Sequence, residues 1–454
     1  MHQQSSPPGG QATTRRDPFG VRAQGSTIGR EVVAGLTTFG AMSYVVVVNP
    51  AILSATGVDV HALIIVTALA AMVGSLMMAL AANLPIALAP GMGSNIVFAQ
   101  VVVVGLGVSY QTALAMVFTG GVLFVLLSAS RARERLVRGF PDPIRLGMQC
   151  GIGLFIAYLG LRGGGLLVQG PHGPSFGRLR DPATLLVFAG MVLTPALMAR
   201  RIPGALLISI VAITLAGLLV PGHGGHMVTP SPRRVVSLPV LPRGLLFSPD
   251  FGQFFRHFFV LLPIALYFFL GDFFSATATL IGVTRRAGLM TLDGEIPRAR
   301  RAYLADGASS MVGALLGSPT VVAYVESATG VESGGRTGLV GVVVALLFGL
   351  SVFFWPLIAI VPPQATAPAL VLVGVLMMEG IAGLDVSRAE NAVPPILILL
   401  IVVTTNDLMM GLLSGCCAYS LIVLATAQWR KLTPMLLVVD AVLAIYAVLT
   451  NFAL

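Results

Sequence analysis

Charged residues are scarce in this chain, 10% of 454 residues, against roughly 25% in a soluble domain. That scarcity excludes a soluble globular protein. With 56% hydrophobic residues and a mean hydropathy of +0.92, the chain belongs in lipid. Lysine is nearly absent: Lys431 stands alone, so arginine carries 26 of the 27 basic residues behind the net charge of +9. Cysteine is scarce too, and Cys150, Cys416 and Cys417 are odd in number and lie in apolar segments, which excludes a disulfide framework. Residues 1–29 are polar and have no apolar core, which excludes a cleavable signal peptide and leaves a disordered cytoplasmic tail. His223 and His226 sit in a Gly-rich loop with no third ligand, so the sequence calls for no metal and no cofactor.

What is present are apolar runs long enough to cross about 30 Å of hydrocarbon. They are read at 31–53, 62–84, 85–104 (broken), 111–129, 142–162, 183–199 and 203–220. After a Pro/Gly-rich loop at 221–253 they resume at 254–283, 299–317, 318–332 (broken), 336–361, 366–383, 391–405 and 407–427, and a further apolar stretch, 433–451, either spans or lies in the interface. The arginines cluster in short loops (Arg131, Arg133, Arg135 and Arg138; Arg200 and Arg201; Arg285, Arg286, Arg298, Arg300 and Arg301; Arg430 with Lys431). With the N-terminus inside, all of these fall inside, which is the positive-inside pattern and not a nucleic-acid footprint. Arg178, Arg180, Arg233 and Arg234 are exceptions.

The expected fold is therefore an all-α integral membrane protein. Its parts are a tail (1–29), a first repeat of seven spans (30–220), an extracytoplasmic loop (221–253), a second repeat of seven spans (254–430) and a C-terminal apolar segment (431–454). Seven spans per half force opposite orientations on the halves, the inverted-repeat arrangement of secondary transporters, and corresponding interrupted segments point to a midplane site. The third span carries Pro85, Pro90, Gly91 and Gly93; the tenth carries Gly317 and Pro319. Extended backbone there survives at membrane depth only if buried in protein or lining a cavity. The economical arrangement pairs the two pieces with each other, with a half-helix opening after each and its N-terminal N–H groups turned to the centre.

Two acids sit where a span tolerates none, Asp272 and Glu326. A carboxylate at membrane depth costs at least about 2.5 kcal/mol, so it faces a cavity, a partner or a substrate. No arginine or lysine lies inside a neighbouring span to pair with them. Glu326 would sit at the mouth of a half-helix, where the dipole favours the carboxylate and burial the neutral acid; a carboxyl balanced that way can take up and release a proton. Ser275 and Thr279 share a face with Asp272, opposite Phe269, Phe273 and Leu280. Asn95 follows the Gly91–Gly93 turn as a helix cap or a ligand. Asp306 reads as structural, Asp407 and Glu379 as residues hydrated at span ends, Met377 and Met378 as packing.

Taken together, GREVVAGLTTFGAMSYVVVVNPAIL, ANLPIALAPGMGSN, GIGLFIAYLGL, DFFSATATLIG, LLGSPTVVAYVESATGVESGGRTGL and ATAPALVLVGVLMM resemble bacterial purine permeases of the AzgA-like branch of the nucleobase–cation symporters, from about residue 30 to 430. The resemblance implies the fourteen-helix fold of the uracil permease type, with a core domain (helices 1–4 and 8–11) and a gate domain (5–7 and 12–14). It also implies proton-coupled uptake of adenine, guanine or hypoxanthine. On it, Asp272 matches the helix-eight acid, Glu326 the helix-ten glutamate that holds the base, and Asn95 the asparagine of the GMGxN motif. The chain departs from the branch at Ser275–Ala276, where an acid and a threonine are usual. It departs again at Ser318–Tyr324, which lacks hydroxyls, and at Ser94 and Ile96–Val97 within the third-span motif.

The expectation is a multi-pass symporter of the cytoplasmic membrane, not an enzyme. Asp272, Glu326, Asn95 and Ser275 would bind a purine edge, Phe274 and Phe98 would cover its faces, and Glu326 and Asp272 would carry the proton. Its partners are the nucleobase, the proton and membrane lipid, with no nucleic acid; a homodimer is left open. The rivals are another planar heterocycle such as uracil or xanthine, an anion exchanger (disfavoured by two central acids), an intramembrane hydrolase with paired carboxylates, and a passive channel.

Overall fold

The computed structural model describes residues 17–130, 141–170, 173–178, 180–222, 226–232, 234–291, 295–378, 385–405 and 408–452. The Arg131–Arg138 cluster, His223, Arg233, Glu379 and Asp407 lie outside the described residues.

The first span is broken in its middle. Thr27 caps α1 (Ile28–Met42) by accepting the Arg30 N–H, Ser43 and Tyr44 turn, and α2 (Val45–Leu53) continues. Next come α3 (Val60–Ala82), capped by Asp59, and strand β1 (Leu88–Pro90). Then α4 (Met92–Ile96) runs on as a π-helical stretch over Val97–Gly105. Helices α5 (Tyr110–Ala129) and α6 (Asp142–Gly163) precede a hairpin of β2 (Leu167–Gly170) and β3 (Gly173–Phe176). Helices α7 (Pro182–Ala199) and α8 (Ala205–Gly217) follow. Beyond an irregular segment, α9 (Phe251–Arg256) leads into the long α10 (Phe258–Arg286), then α11 (Ala299–Leu315), strand β4 (Val321–Ala323) and the short α12 (Ser327–Glu332). The chain closes with α13 (Leu339–Ser351), α14 (Trp355–Ile358), α15 (Pro363–Met377), α16 (Ala389–Thr405), α17 (Leu408–Ala425) and α18 (Pro434–Phe452).

By length and composition, eight helices among the described residues can cross a membrane, and shorter apolar helices accompany them. The apolar runs of the sequence predict fourteen spans; α11, with Arg300, Arg301 and Asp306 in it, and the short α12 fall below those limits. The helices pack as two groups. In one, α3 and α5 lie on α11, α5 also on α10, and α1 lies on α12 and α13. In the other, α6 lies on α15 and α16, α7 on α8 and α15, and α16 on α17. Helix α18 packs on α10 and α17, with Leu436, Val439 and Leu443 buried.

Residues 17–27 correct the expectation of a loose tail reaching residue 29. Val21 is buried, the Asn83 side-chain amide donates to the Phe19 carbonyl at 2.8 Å, and Ser26 donates to the Gly334 carbonyl.

At the centre of the first group, β1 and β4 pair antiparallel with Leu88 opposite Ala323, Ala89 opposite Val322 and Pro90 opposite Val321. A two-stranded ribbon leaves both outer edges unpaired, a cost no water offsets at this depth. Side chains supply the missing partners. Ser75 of α3 accepts the Leu88 N–H at 3.0 Å and donates to the Leu88 carbonyl at 2.8 Å. Ser310 of α11 stands in the same relation to Val321, accepting its N–H at 3.1 Å and lying 2.9 Å from its carbonyl. Such closeness needs helices without side chains at the crossing. A Cβ at Gly74 would lie 2.7 Å from Val321 Cγ1, and one at Gly313 would lie 2.6 Å from Val321 Cγ2.

Candidate functional site

The ribbon sets where the two short helices begin. Its pairing extends through the Gly91 N–H to the Thr320 carbonyl (2.9 Å) and the Tyr324 N–H to the Ala87 carbonyl (3.0 Å), so α4 and α12 both start at the ribbon's ends. Tyr324 is buried and donates its hydroxyl to the Pro90 carbonyl at 2.6 Å; Ser327 accepts the Ala87 N–H at 3.0 Å.

Asp272, on α10, is buried and held between hydroxyls from two other elements. Ser94 of α4 donates to its Oδ1 at 2.9 Å, and Ser310 Oγ lies 3.1 Å from its Oδ2. Ser310 has one proton. It cannot donate to both the Val321 carbonyl and Asp272, so the site has a surplus of acceptors unless Asp272 itself carries a proton and donates to Ser310. Glu326 begins α12 and is half-buried, beside the 59% exposed Val325; its Oε1 accepts the Tyr44 hydroxyl at 2.7 Å. Three helix breaks thus converge: Tyr44 from the α1–α2 turn, Ser94 from α4 and Glu326 from the β4–α12 junction. The acids are linked through β4, Asp272 by way of Ser310 to Val321 and Glu326 three residues past Ala323. Among the described residues no ion pair involves either acid; the pairs found, such as Arg286 with Glu332 and Lys431 with Glu390, lie elsewhere.

Asn95 is buried and its amide is already engaged. Its Nδ2 donates to Asn49 Oδ1 at 2.7 Å, Asn49 Nδ2 donates to Thr67 Oγ1 at 2.8 Å, and the Thr320 hydroxyl approaches Asn95 Oδ1 at 3.4 Å. It joins α4 to α2. Ser275 corrects the sequence reading. It is exposed, whereas Asp272 on the same helix is buried, and the hydroxyls on Asp272 come from Ser94 and Ser310. The apolar side chains Phe269, Phe273 and Leu280 are also buried, because α10 is enclosed on more than one side. Phe98 sits in an aromatic cluster, edge-on to Tyr110 (4.9 Å) and near Phe268 (6.5 Å). Phe274 packs edge-on to Phe273, with the Arg145 guanidinium of α6 over its ring at 5.9 Å, so it faces the second helix group.

Asp306 is fully buried and accepts the Ala323 N–H at 2.8 Å through Oδ1, bound to the ribbon and not to a basic loop. The first N–H groups of α12 are not free for a ligand, contrary to expectation. Ser327, Ala328 and Thr329 donate to the carbonyls of Tyr324, Val325 and Glu326. Among the described residues no cluster of side chains could hold a metal ion, and His226 is exposed.

Between the two helix groups lies a cavity of about 720 Å³ with Val47, Ile96, Gln100, Arg162, Thr366 and Leu370 among its walls. Its inner residues adjoin the site: Val47 follows Tyr44 by one hydrogen-bonded turn, and Ile96 follows Asn95.

Sequence reasoning missed Tyr44, Ser310, Ser75 and Asn49, and treated Ser94 only as a helix opener. Their types are common in membrane helices, and only the fold shows what they face. The available signal was the span break at Ser43–Tyr44 and the serines eleven to thirteen residues before each strand.

A family model described as "Permease family" (Xan_ur_permease) matches residues 29–414. The guanine/hypoxanthine permease PbuO of Bacillus subtilis is 38% identical over 428 residues, covering 92% of this chain and 97% of that protein. The adenine permease AdeP of Escherichia coli is 37% identical over 439 residues, covering 96% of each. Among solved structures, the transmembrane domain of the cyanobacterial bicarbonate transporter BicA overlays with a TM-score of 0.59 at 18% identity, covering 84% of this chain and 97% of that one. Murine Slc26a9 in its inward-facing state does so with 0.60 at 12% identity, covering 92% and 74%. At those identities the overlays speak to the fold alone, a mostly helical membrane transporter fold. The relatives are permeases and not enzymes, and with 386 of 454 residues inside the family match, the chain belongs to the Xan_ur_permease family of multi-pass membrane permeases.

Proposed function

We propose that this permease imports a purine base together with a proton across the cytoplasmic membrane, with its N-terminus in the cytoplasm. The observation that carries the reading is the convergence on one buried ribbon of two carboxyls that have hydroxyl partners and no cation. A purine presents N–H donors along a flat edge, which a carboxyl accepts, whereas an anion would be repelled by two acids. The relatives named for guanine, hypoxanthine and adenine support the substrate class.

Proton coupling follows from the hydroxyl count at Ser310. With Asp272 protonated, every acceptor around Ser310 is served; with Asp272 ionised, the Ser310 proton is drawn to it and the Val321 carbonyl loses its partner. Loading a proton on Asp272 therefore supports β4 and the Glu326 that follows it. Glu326 binds the base, Asp272 and Glu326 share the proton coupling, and Phe274 lies where core and gate meet. Asn95 acts on the site through Asn49 and not by touching the base.

The matched serines on both ribbon edges support a 7+7 inverted repeat with seven spans in 30–220 and seven in 254–430. The loop 221–253 lies outside, and α18 is an added segment after residue 430. The group of α1–α5 and α10–α13 is the core and the group of α6–α8 and α15–α17 the gate. With the arginine loops inside, the cavity at Val47 and Ile96 opens outward, and rocking of core against gate gives alternating access.

The test is uptake of labelled hypoxanthine, guanine and adenine in membrane vesicles under an imposed pH gradient. Concentrative uptake that stops when the gradient is collapsed, and that Glu326→Gln abolishes, supports the reading. Uptake unchanged in that variant removes Glu326 from the site.

A further inference from the structure

Tyr44 has no role in the proposed transport cycle, yet it makes the described hydrogen bond to Glu326. The helix break at Ser43–Tyr44 turns its ring inward, it is only 1% exposed, and its hydroxyl donates to Oε1 at 2.7 Å. A tyrosine hydroxyl has one proton, and here it is spent. Glu326 as a whole is half-buried, so the oxygen left to meet a ligand is Oε2.

A carboxylate with two free oxygens takes two parallel N–H groups at once, in the manner of its pairing with a guanidinium. A purine with an amino group beside a ring N–H, as in guanine, offers that pair of donors. Hypoxanthine offers the ring N–H alone, with a C–H in place of the amino group. With Oε1 held by Tyr44, the second donor finds no acceptor on Glu326. We infer that Tyr44 is a positioning residue that sets specificity: it restricts Glu326 to a single N–H, so that the 2-amino group brings no affinity and purines with and without it are taken alike. This rests on Glu326 being the base-binding residue.

Wild type and Tyr44→Phe are compared in vesicles for the KM of labelled guanine and of labelled hypoxanthine. In the wild type the two values are expected within about threefold. In Tyr44→Phe the freed Oε1 accepts the amino group, and the guanine KM is expected to fall about tenfold relative to that of hypoxanthine, the size of one hydrogen bond to a charged group. A merely structural tyrosine would change both values together. A ratio in Tyr44→Phe within about twofold of the wild-type ratio overturns the inference. If Tyr44→Phe does not reach the membrane, the wild-type ratio decides: near one supports the inference, and a tenfold preference for guanine overturns it. Glu326→Gln separates the two levels. Wild-type KM values in that variant overturn the site reading itself; loss of both uptakes there, with an unchanged ratio in Tyr44→Phe, overturns only the role of Tyr44.

Discussion

Ser310→Ala and Ser75→Ala are a matched pair of perturbations, because the two hydroxyls do the same thing for the two edges of the ribbon and only one of them touches an acid. Ser75→Ala leaves the Leu88 N–H and carbonyl without partners; Ser310→Ala does this to Val321. Each buried group left unmade costs about 1–3 kcal/mol. Each variant should therefore lose about 2–4 kcal/mol once partial relaxation is allowed for, seen as a lower thermal midpoint in detergent. Their transport should differ. Ser310→Ala also takes away one of the two hydroxyls on Asp272, 3.1 Å from Oδ2. Its base KM should rise about fivefold or more, the size of a hydrogen bond to an ionisable group. Its uptake should also vary with external pH differently from wild type. Ser75→Ala should keep the wild-type KM within about twofold and the wild-type pH profile, because no contact of Ser75 reaches an acid. Equal transport in the two variants would refute the Asp272–Ser310–β4 link. A Ser310→Ala protein as stable as wild type would refute the edge pairing.

Asp272→Asn keeps a side chain that Ser94 and Ser310 can bond but removes the titratable proton. It should retain exchange of labelled for unlabelled base while losing concentrative uptake, and intact accumulation would count against Asp272 as a proton carrier. Asn95→Ala breaks the Asn49–Asn95 bond in a fully buried place and should lower thermal stability by about 1–3 kcal/mol. It should move KM less than Asp272→Asn does, a ranking that uptake kinetics on both variants checks. Gly74→Val inserts side-chain atoms where even a Cβ would lie 2.7 Å from Val321 Cγ1. A thermal midpoint measurement should find it destabilised by about 1–3 kcal/mol or more, whereas Gly163→Val, where a Cβ meets nothing within 4 Å, should be far milder.

Much of the frame was legible in the sequence because the bilayer punishes exceptions. Pro85, Pro90, Gly91 and Pro319 could not sit in continuous spans, and the β-prone Val321–Ala323 with Leu88–Pro90 had to find backbone partners, which they find in each other. Asp272 and Glu326 stood out for the same reason. The site's second layer was not legible. Nothing local says that the hydroxyl of Tyr44, 282 residues away, reaches Glu326, or that Ser310 serves a strand and an acid at once. Ser275 misled because helical spacing fixes a shared face and not what that face meets. Asp272 turns to Ser94 and Ser310, while Ser275 is left exposed. Asn95 misled in the other direction, since its amide is consumed by Asn49.

The most direct test of the central claim reconstitutes the protein in liposomes carrying an internal pH indicator and follows labelled hypoxanthine entry and lumenal pH together. The account predicts acidification of the lumen in step with base entry, and neither signal in Glu326→Gln. Base entry without any lumenal acidification, or entry undiminished in Glu326→Gln, would contradict it.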